Sequence, residues 1–103
     1  MLELLAMQAE MVGRATYYHL PGNVMRNGEM YDPYAPTCAV DASLWPLMGG
    51  EIVIVTIPGQ PDVALRVTDT GYLRRWGVVI DVPMGTYQRY FGGATTATVR
   101  LLQ

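Results

Sequence analysis

The sequence predicts a mainly β domain, a closed barrel of six strands with two short helices. Three observations carry this. The chain has 103 residues, half of them hydrophobic, with 11 Gly and 7 Pro, which describes one turn-rich core rather than a disordered chain. Apolar runs of strand length recur along it, bounded by Gly or Pro. Two stretches also look like copies of each other. Ala39-Val40-Asp41-Ala42-Ser43, then Gly49-Gly50 and Glu51 to Val55, parallels Val79-Ile80-Asp81-Val82-Pro83, then Gly92-Gly93 and Ala94 to Val99. Each reads as a short strand ending in Asp, a short helix, a Gly-Gly break and a strand. Two such halves bring both aspartates near a pseudo-two-fold axis.

Residues 1–12 read as a tail or short helix, in which Leu2, Leu5, Met7 and Met11 share roughly one face. Residues 13–103 form the barrel. Gly13 to His19 is rich in β-formers. Pro21-Gly22-Asn23 and Asn27-Gly28 are turns, and Tyr31 to Pro36, with two prolines, is an extended loop. Thr37 to Val40 is a short strand. Ala42 to Leu47 is helical, with Asp41 as its N-cap. Glu51 to Ile57 is a near-continuous apolar strand, closed by Pro58-Gly59-Gln60-Pro61. Val63, Leu65 and Val67 alternate with Ala64, Arg66 and Thr68, as in a half-buried strand. Asp69-Thr70-Gly71 ends it. Val78 to Val82 is a buried strand. Pro83 to Phe91 is the second helix, with Asp81 or Val82 near its start and Pro83 in the first turn, where a missing N–H costs little. Thr95 to Leu102 is the last strand.

The bulk numbers exclude several function classes. A net charge of −2 gives no nucleic-acid surface. One cysteine, Cys38, permits no intrachain disulfide, and one His with one Cys makes no metal site. No cofactor is called for. No apolar run approaches transmembrane length. Met1 to Met11 has no basic segment and contains Glu3 and Glu10, so it does not read as an export signal. The apolar N-terminal segment leaves contact with a larger assembly open.

Three carboxylates, Asp41, Asp69 and Asp81, are predicted to converge on one groove, an arrangement suited to acid–base chemistry on a sugar polymer. A capping role for Asp41 and Asp81 is compatible with this, because N–H donors hold a carboxylate ionised. Glu29 and Asp32 flank the Asn27-Gly28 turn. Tyr17, Tyr18, Tyr31, Tyr34 and Trp45 supply aromatic faces suited to sugar rings, although strand alternation should bury one of Tyr17 and Tyr18. Cys38, inside an apolar strand, reads as a buried, inert thiol.

In these residues the chain resembles the RlpA-like (rare lipoprotein A) double-psi β-barrel. Gly13-Arg14-Ala15-Thr16-Tyr17-Tyr18, Asn27-Gly28-Glu29-Met30-Tyr31-Asp32, Thr37-Cys38-Ala39, Trp45-Pro46-Leu47, Arg66 to Gly71 and Ile80-Asp81-Val82 follow in order the family's G-x-A-S-Y-Y-G, S-G-E-x-Y-D, T-A-A-H, L-P-x-G, V-x-V-x-D-x-G-P and I-D-L-S. Ala39-Val40-Asp41, Asp69-Thr70-Gly71 and Ile80-Asp81-Val82 also look like the three-aspartate (3D) domain of cell-wall lytic enzymes. Expansins are more distant relatives and use an aspartate in a position like Asp81.

The resemblance implies cleavage or binding of peptidoglycan glycan strands, most directly as a lytic transglycosylase. Glu29 and Asp32 map onto the Glu and Asp of S-G-E-x-Y-D, and Asp69 onto the Asp of V-x-D-x-G. Val40 stands where the family has His, Tyr72 where it has Pro and His19 where it has Gly. On this reading Asp69 is the acid/base, with Glu29 next. Asp41 and Asp81 stabilise positive charge, and Asp32, Tyr17, Tyr18, Tyr31 and Trp45 position the strand. The setting implied is the cell envelope, the extracellular space or a virion. A catalytically silent glycan-binding or structural module is the main alternative. Asp-Thr-Gly is also the nucleophile motif of retroviral-type aspartic proteases. Those need an apolar-apolar-Gly segment behind that loop, where Val79-Ile80-Asp81 instead places a charge.

Overall fold

A computed structural model describes residues 10–102. Leu2, Leu5 and Met7 of the expected N-terminal helical face lie outside the described residues, whereas Met11 and Val12, assigned to the same tail, are strand residues paired with Val99 and Thr98, so the barrel begins at Met11 rather than at residue 13. Six strands follow: β1 (Met11–Tyr18), β2 (Thr37–Asp41), β3 (Ile52–Thr56), β4 (Val63–Gly71), β5 (Val78–Pro83) and β6 (Thr96–Leu101). After β2 comes a 3-10 turn (Ala42–Leu44) that runs into helix α1 (Trp45–Met48), and helix α2 (Met84–Tyr90) joins β5 to β6. A further 3-10 turn, Arg74–Trp76, has no counterpart in the sequence reading. No helix among the described residues is long and apolar enough to cross a membrane.

The strands close a barrel in the order β1-β5-β2-β4-β3-β6. The pairs β1/β5 and β2/β4 are parallel, and the other four are antiparallel. Closure leaves no free sheet edge, which removes the usual route to edge-to-edge association. Inward positions follow the two-residue period. On β3, Val53 and Val55 are fully buried, while Ile52 and Ile54 face outward and are half-buried. The apolar look of that strand therefore hides an ordinary alternation. Arg66 stands opposite Ile52, and Arg100 opposite Ile54, positions from which arginine stems can cover apolar surface. Val40, Val67, Ile80, Val82, Val99 and Phe91 complete a dry interior dominated by β-branched side chains, which fit a pleated surface.

Exchanging β1, β2, β3 with β4, β5, β6 maps the barrel order onto itself, so the two halves are related by a pseudo-two-fold axis. Strands β2 and β5 cross antiparallel at Ala39 and Asp81. These two residues are therefore equivalent, and two positions on Asp41 is equivalent to Pro83. The backbone agrees: Asp41 caps its turn at φ −57°, ψ 141°, and Pro83 caps α2 at φ −56°, ψ 145°. This corrects the sequence alignment of the two copies, which paired Asp41 with Asp81. Pro83 needs no capping side chain because its ring presets φ. Asp81 is thus freed from the cap and remains a strand residue.

The segment between β1 and β2 straddles the outer face of the barrel. Met25 and Tyr31 are buried beneath it. Asn27 donates its N–H to the Thr68 carbonyl (3.1 Å), and Thr86 of α2 donates its N–H to the Pro33 carbonyl (3.0 Å). Gly85 is required there. A side chain at that position would run into the Pro33 carbonyl and the Tyr34 ring.

Candidate functional site

Four strands place one outward-facing residue each in a single row. Thr16 on β1 pairs with Asp81 on β5, Asp81 with Ala39 on β2, and Ala39 with Asp69 on β4. Two carboxylates thus flank the small Ala39 side chain near the pseudo-two-fold axis. Thr16 Oγ1 donates to Asp81 Oδ1 at 2.9 Å. Asp69 Oδ1 accepts the N–H groups of Arg26 (3.1 Å) and Thr70 (2.9 Å). Burial raises the Asp81 pKa from its ordinary value. The Thr16 hydrogen bond opposes this and the Asp69 charge adds to it. The two acids are therefore not interchangeable: one is half-buried with its pKa raised, the other accepts two backbone N–H groups.

Aromatic and cationic groups frame the row. The Tyr18 hydroxyl is buried and has no hydrogen-bond partner among the described residues. Burial pushes its pKa up, and both Asp69 and Asp81 push it further. Its ring packs on Tyr31 at 5.2 Å. On the other flank, the Arg26 guanidinium lies 5.0 Å from the Trp45 ring and donates to Thr70 Oγ1 at 3.4 Å. Arg26 so ties Trp45 to the Asp69 side of the row. Neither Thr16 nor Arg26 stands out in the sequence. Thr16 does occupy the Ser position of the G-x-A-S-Y-Y-G pattern, a signal that could have found it.

Other sequence candidates lie elsewhere. Asp41 does not join the row. Its carboxylate accepts the Ser43 hydroxyl (2.6 Å) and N–H (3.1 Å), and also the N–H groups of Leu73 (3.0 Å) and Arg74 (2.8 Å). It is a cap and a pin for the chain after β4. Glu29 pairs with Arg66 at 2.9 Å, and that hydrogen bond holds it below the usual range, the opposite of what a proton donor needs. It lines a hollow of about 400 Å³ with Asp32, Thr37 and Arg66. Asp32 is exposed and accepts the Tyr34 N–H (2.9 Å). Tyr17 alternates away from Thr16 and Tyr18, and packs at a tilt on Tyr87 of α2 at 4.8 Å. Tyr31 is buried, and its hydroxyl donates to the Tyr18 carbonyl at 2.8 Å, so it supports Tyr18 from behind. Cys38 is fully buried, which raises its thiol pKa far out of the reactive range. Among the described residues no three His, Cys, Asp or Glu side chains are placed to hold a metal ion.

No family model matches the sequence, and no curated protein matches it. Solved structures do. The Streptomyces papain inhibitor matches with a TM-score of 0.73 at 21% identity, covering 94% of this chain and 97% of the inhibitor. The apo expansin of Clavibacter michiganensis matches with a TM-score of 0.68 at 22% identity, covering 92% of this chain and 51% of the expansin. A mutant of that expansin in complex with cellohexaose gives 0.67 at 21% identity, with 92% and 51% covered. The fold is a double-psi β-barrel. The chain spans about half the length of the expansins it matches. In this barrel the Asp-Thr-Gly run closes β4 beside β2, and its aspartate faces Asp81 of the same chain.

Asp41 carries a pH prediction. The Ser43 hydroxyl, then the Arg74, Ser43 and Leu73 N–H groups, pull it down to about 2. Unfolded, an aspartate titrates near about 4. The folded value is the lower one, so the stability that Asp41 contributes is full above about 4 and is lost as pH falls toward about 2. Asp41→Ala should lower the melting temperature at neutral pH and flatten that acid limb. Circular dichroism melts across the window check this. A variant curve parallel to wild type would remove the pinning role.

Proposed function

We propose that this barrel acts on the glycan strands of peptidoglycan as a lytic transglycosylase. The single observation that supports this best is the unequal pair Asp69–Asp81 across Ala39, with Thr16 orienting Asp81. Asp81 rather than Asp69 fits the acid. Burial raises its pKa, the direction a proton donor needs, and among the described residues only its Oδ1 accepts a hydrogen bond. The proton passes to the glycosidic oxygen as the C1–O4 bond breaks, leaving an oxocarbenium ion. The Asp69 carboxylate, fixed by Arg26 and Thr70, stabilises that charge without reorganising. Asp81, now ionised, takes the proton of the sugar's own 6-hydroxyl as that oxygen closes on C1. The acid is regenerated and no water is consumed. Trp45 and Tyr18 flank the path of the strand, and the setting proposed is the cell envelope, the extracellular space or a virion.

That a mutant of the expansin is found in complex with cellohexaose is consistent with a glycan ligand for a chain of this fold. A second reading, a catalytically silent binding module, is favoured by a different observation. This barrel alone covers 97% of the Streptomyces papain inhibitor, so the fold serves as a whole binding protein there. Mass spectrometry of material released from purified sacculi, intact and stripped of peptide stems, tests both. Anhydro-ended fragments are expected. Reducing ends would replace the mechanism by hydrolysis, and co-sedimentation without release would leave the binding module.

A further inference from the structure

The loop after β4 concentrates features that the carboxylate row does not use. Tyr72 is 77% exposed and Trp76 60% exposed, large aromatic surfaces to leave in water. Arg74 and Arg75 lie between them, and Arg14 donates to the Trp76 carbonyl at 3.1 Å. Three of the chain's seven basic residues therefore meet at one corner of a protein whose net charge is −2. Among the described residues, Arg74 and Arg75 form no ion pair with a carboxylate. The Arg75 guanidinium lies 5.2 Å from the Trp76 ring centroid, which leaves the opposite face of the indole for another occupant.

The loop is built rather than loose. Asp41 Oδ1 takes the N–H groups of Leu73 and Arg74, the Arg74–Trp76 turn follows, and Gly77 closes it at φ 68°. Tyr72, Arg74, Arg75 and Asp41 line a hollow of about 320 Å³. It is also continuous with the carboxylate row. Gly71 pairs with Asp41, and two residues back Asp69 pairs with Ala39, a step of about 7 Å along the strands.

We propose that this Tyr72–Trp76 loop is a binding platform for a carboxylated glycan, continuous with the Asp69–Asp81 groove. The inference rests on the reading that the groove takes a glycan, and it names the chemical class. Indole and phenol faces pack against the C–H faces of sugar rings, and the backbone that carries them is held by Asp41 Oδ1 and the Arg74–Trp76 turn. The guanidinium forks match carboxylates in geometry as well as charge. A neutral glycan would use the rings and leave both arginines idle. A nucleic acid also offers rings and anions, but it carries a phosphate at every residue, and a protein of net charge −2 offers it no basic track beyond this one corner.

Affinity electrophoresis of the full chain tests this, with gels holding hydroxyethylcellulose, polygalacturonate or single-stranded DNA, alongside co-sedimentation with intact and stem-stripped sacculi. Carboxylated polymers should retain the protein more than the neutral one, and salt should weaken the difference. Arg74→Gln with Arg75→Gln should cost about tenfold on carboxylated polymers and little on the neutral one. Trp76→Ala should weaken both. All three side chains are exposed, so melting curves should show the variants folded. Binding to sacculi alone would assign the carboxylates of ring substituents, and binding to polygalacturonate as well would add carboxylates on the ring. Equal retention by neutral and acidic polymers, an unchanged arginine double variant, or a preference for DNA would overturn the platform and leave the glycan groove standing. No retention by any glycan would overturn both.

Discussion

Asp81→Asn should abolish release of anhydro-ended glycan, a loss of about a hundred- to ten-thousand-fold, the usual worth of a positioned general acid. The barrel should remain folded and at neutral pH should melt no lower than wild type. The reason is the direction of the Asp81 shift. Burial makes its ionised form unfavourable in the fold, so the folded value lies above the unfolded one. Any stability from this group is full below the unfolded value and is lost as pH rises through the folded value. The amide removes that cost while keeping an oxygen for the Thr16 hydroxyl.

The same direction sets the pH profile. Cleavage needs protonated Asp81, so activity should fall as pH rises through its folded value. Asp69→Asn removes the neighbouring charge that helps to raise Asp81 and should move that limb to lower pH. Turnover of stem-stripped strands, followed by mass spectrometry from acid to neutral pH, reads both effects. Full activity in Asp81→Asn would end its role as the acid and return attention to Asp69.

Phe91→Ala should cost about 3–5 kcal/mol of stability. In a domain of this size each kcal/mol lowers the melting temperature by about 4–8 °C, so a fall of about 12 °C or more is expected. Phe91 is the chain's single phenylalanine and is fully buried at the end of α2. Its ring stacks on Tyr87 at 5.1 Å, and Tyr87 packs at a tilt on Tyr17 of β1. The Tyr87 hydroxyl donates to the Ala94 carbonyl, and the Ala94 N–H to the Phe91 carbonyl. One aromatic column thus fastens α2 over the barrel and sets the turn into β6. Phe91→Leu, which keeps most of the volume, should cost less than about 1.5 kcal/mol. If alanine shifts the melting temperature by under about 5 °C, the column is not what holds α2 in place.

The strands and both helices were legible from the sequence because their signals are local. Alternation along Val63 to Val67 follows from the pleat, and Gly50, Gly92 and Gly93 break the chain because they take positive φ. Asp41 as a cap was equally legible, since the Ser43 N–H it binds lies two residues away. Chain order also showed that the molecule is built of two similar halves.

The membership of the site was not legible, because strand register creates it. Asp41 and Asp81 look alike in sequence, yet the antiparallel crossing sets Asp81 against Ala39 and makes Pro83 the partner of Asp41. Asp81 gained its burial and its Thr16 hydrogen bond from a strand 65 residues away. Glu29, beside a turn, was drawn off by Arg66 of β4, 37 residues on. Arg26 reached Asp69 only because the loop it sits on folds across the barrel face. Contacts at such separations depend on closure of the whole sheet. Composition and spacing name the residues able to do chemistry, and register alone selects which of them meet.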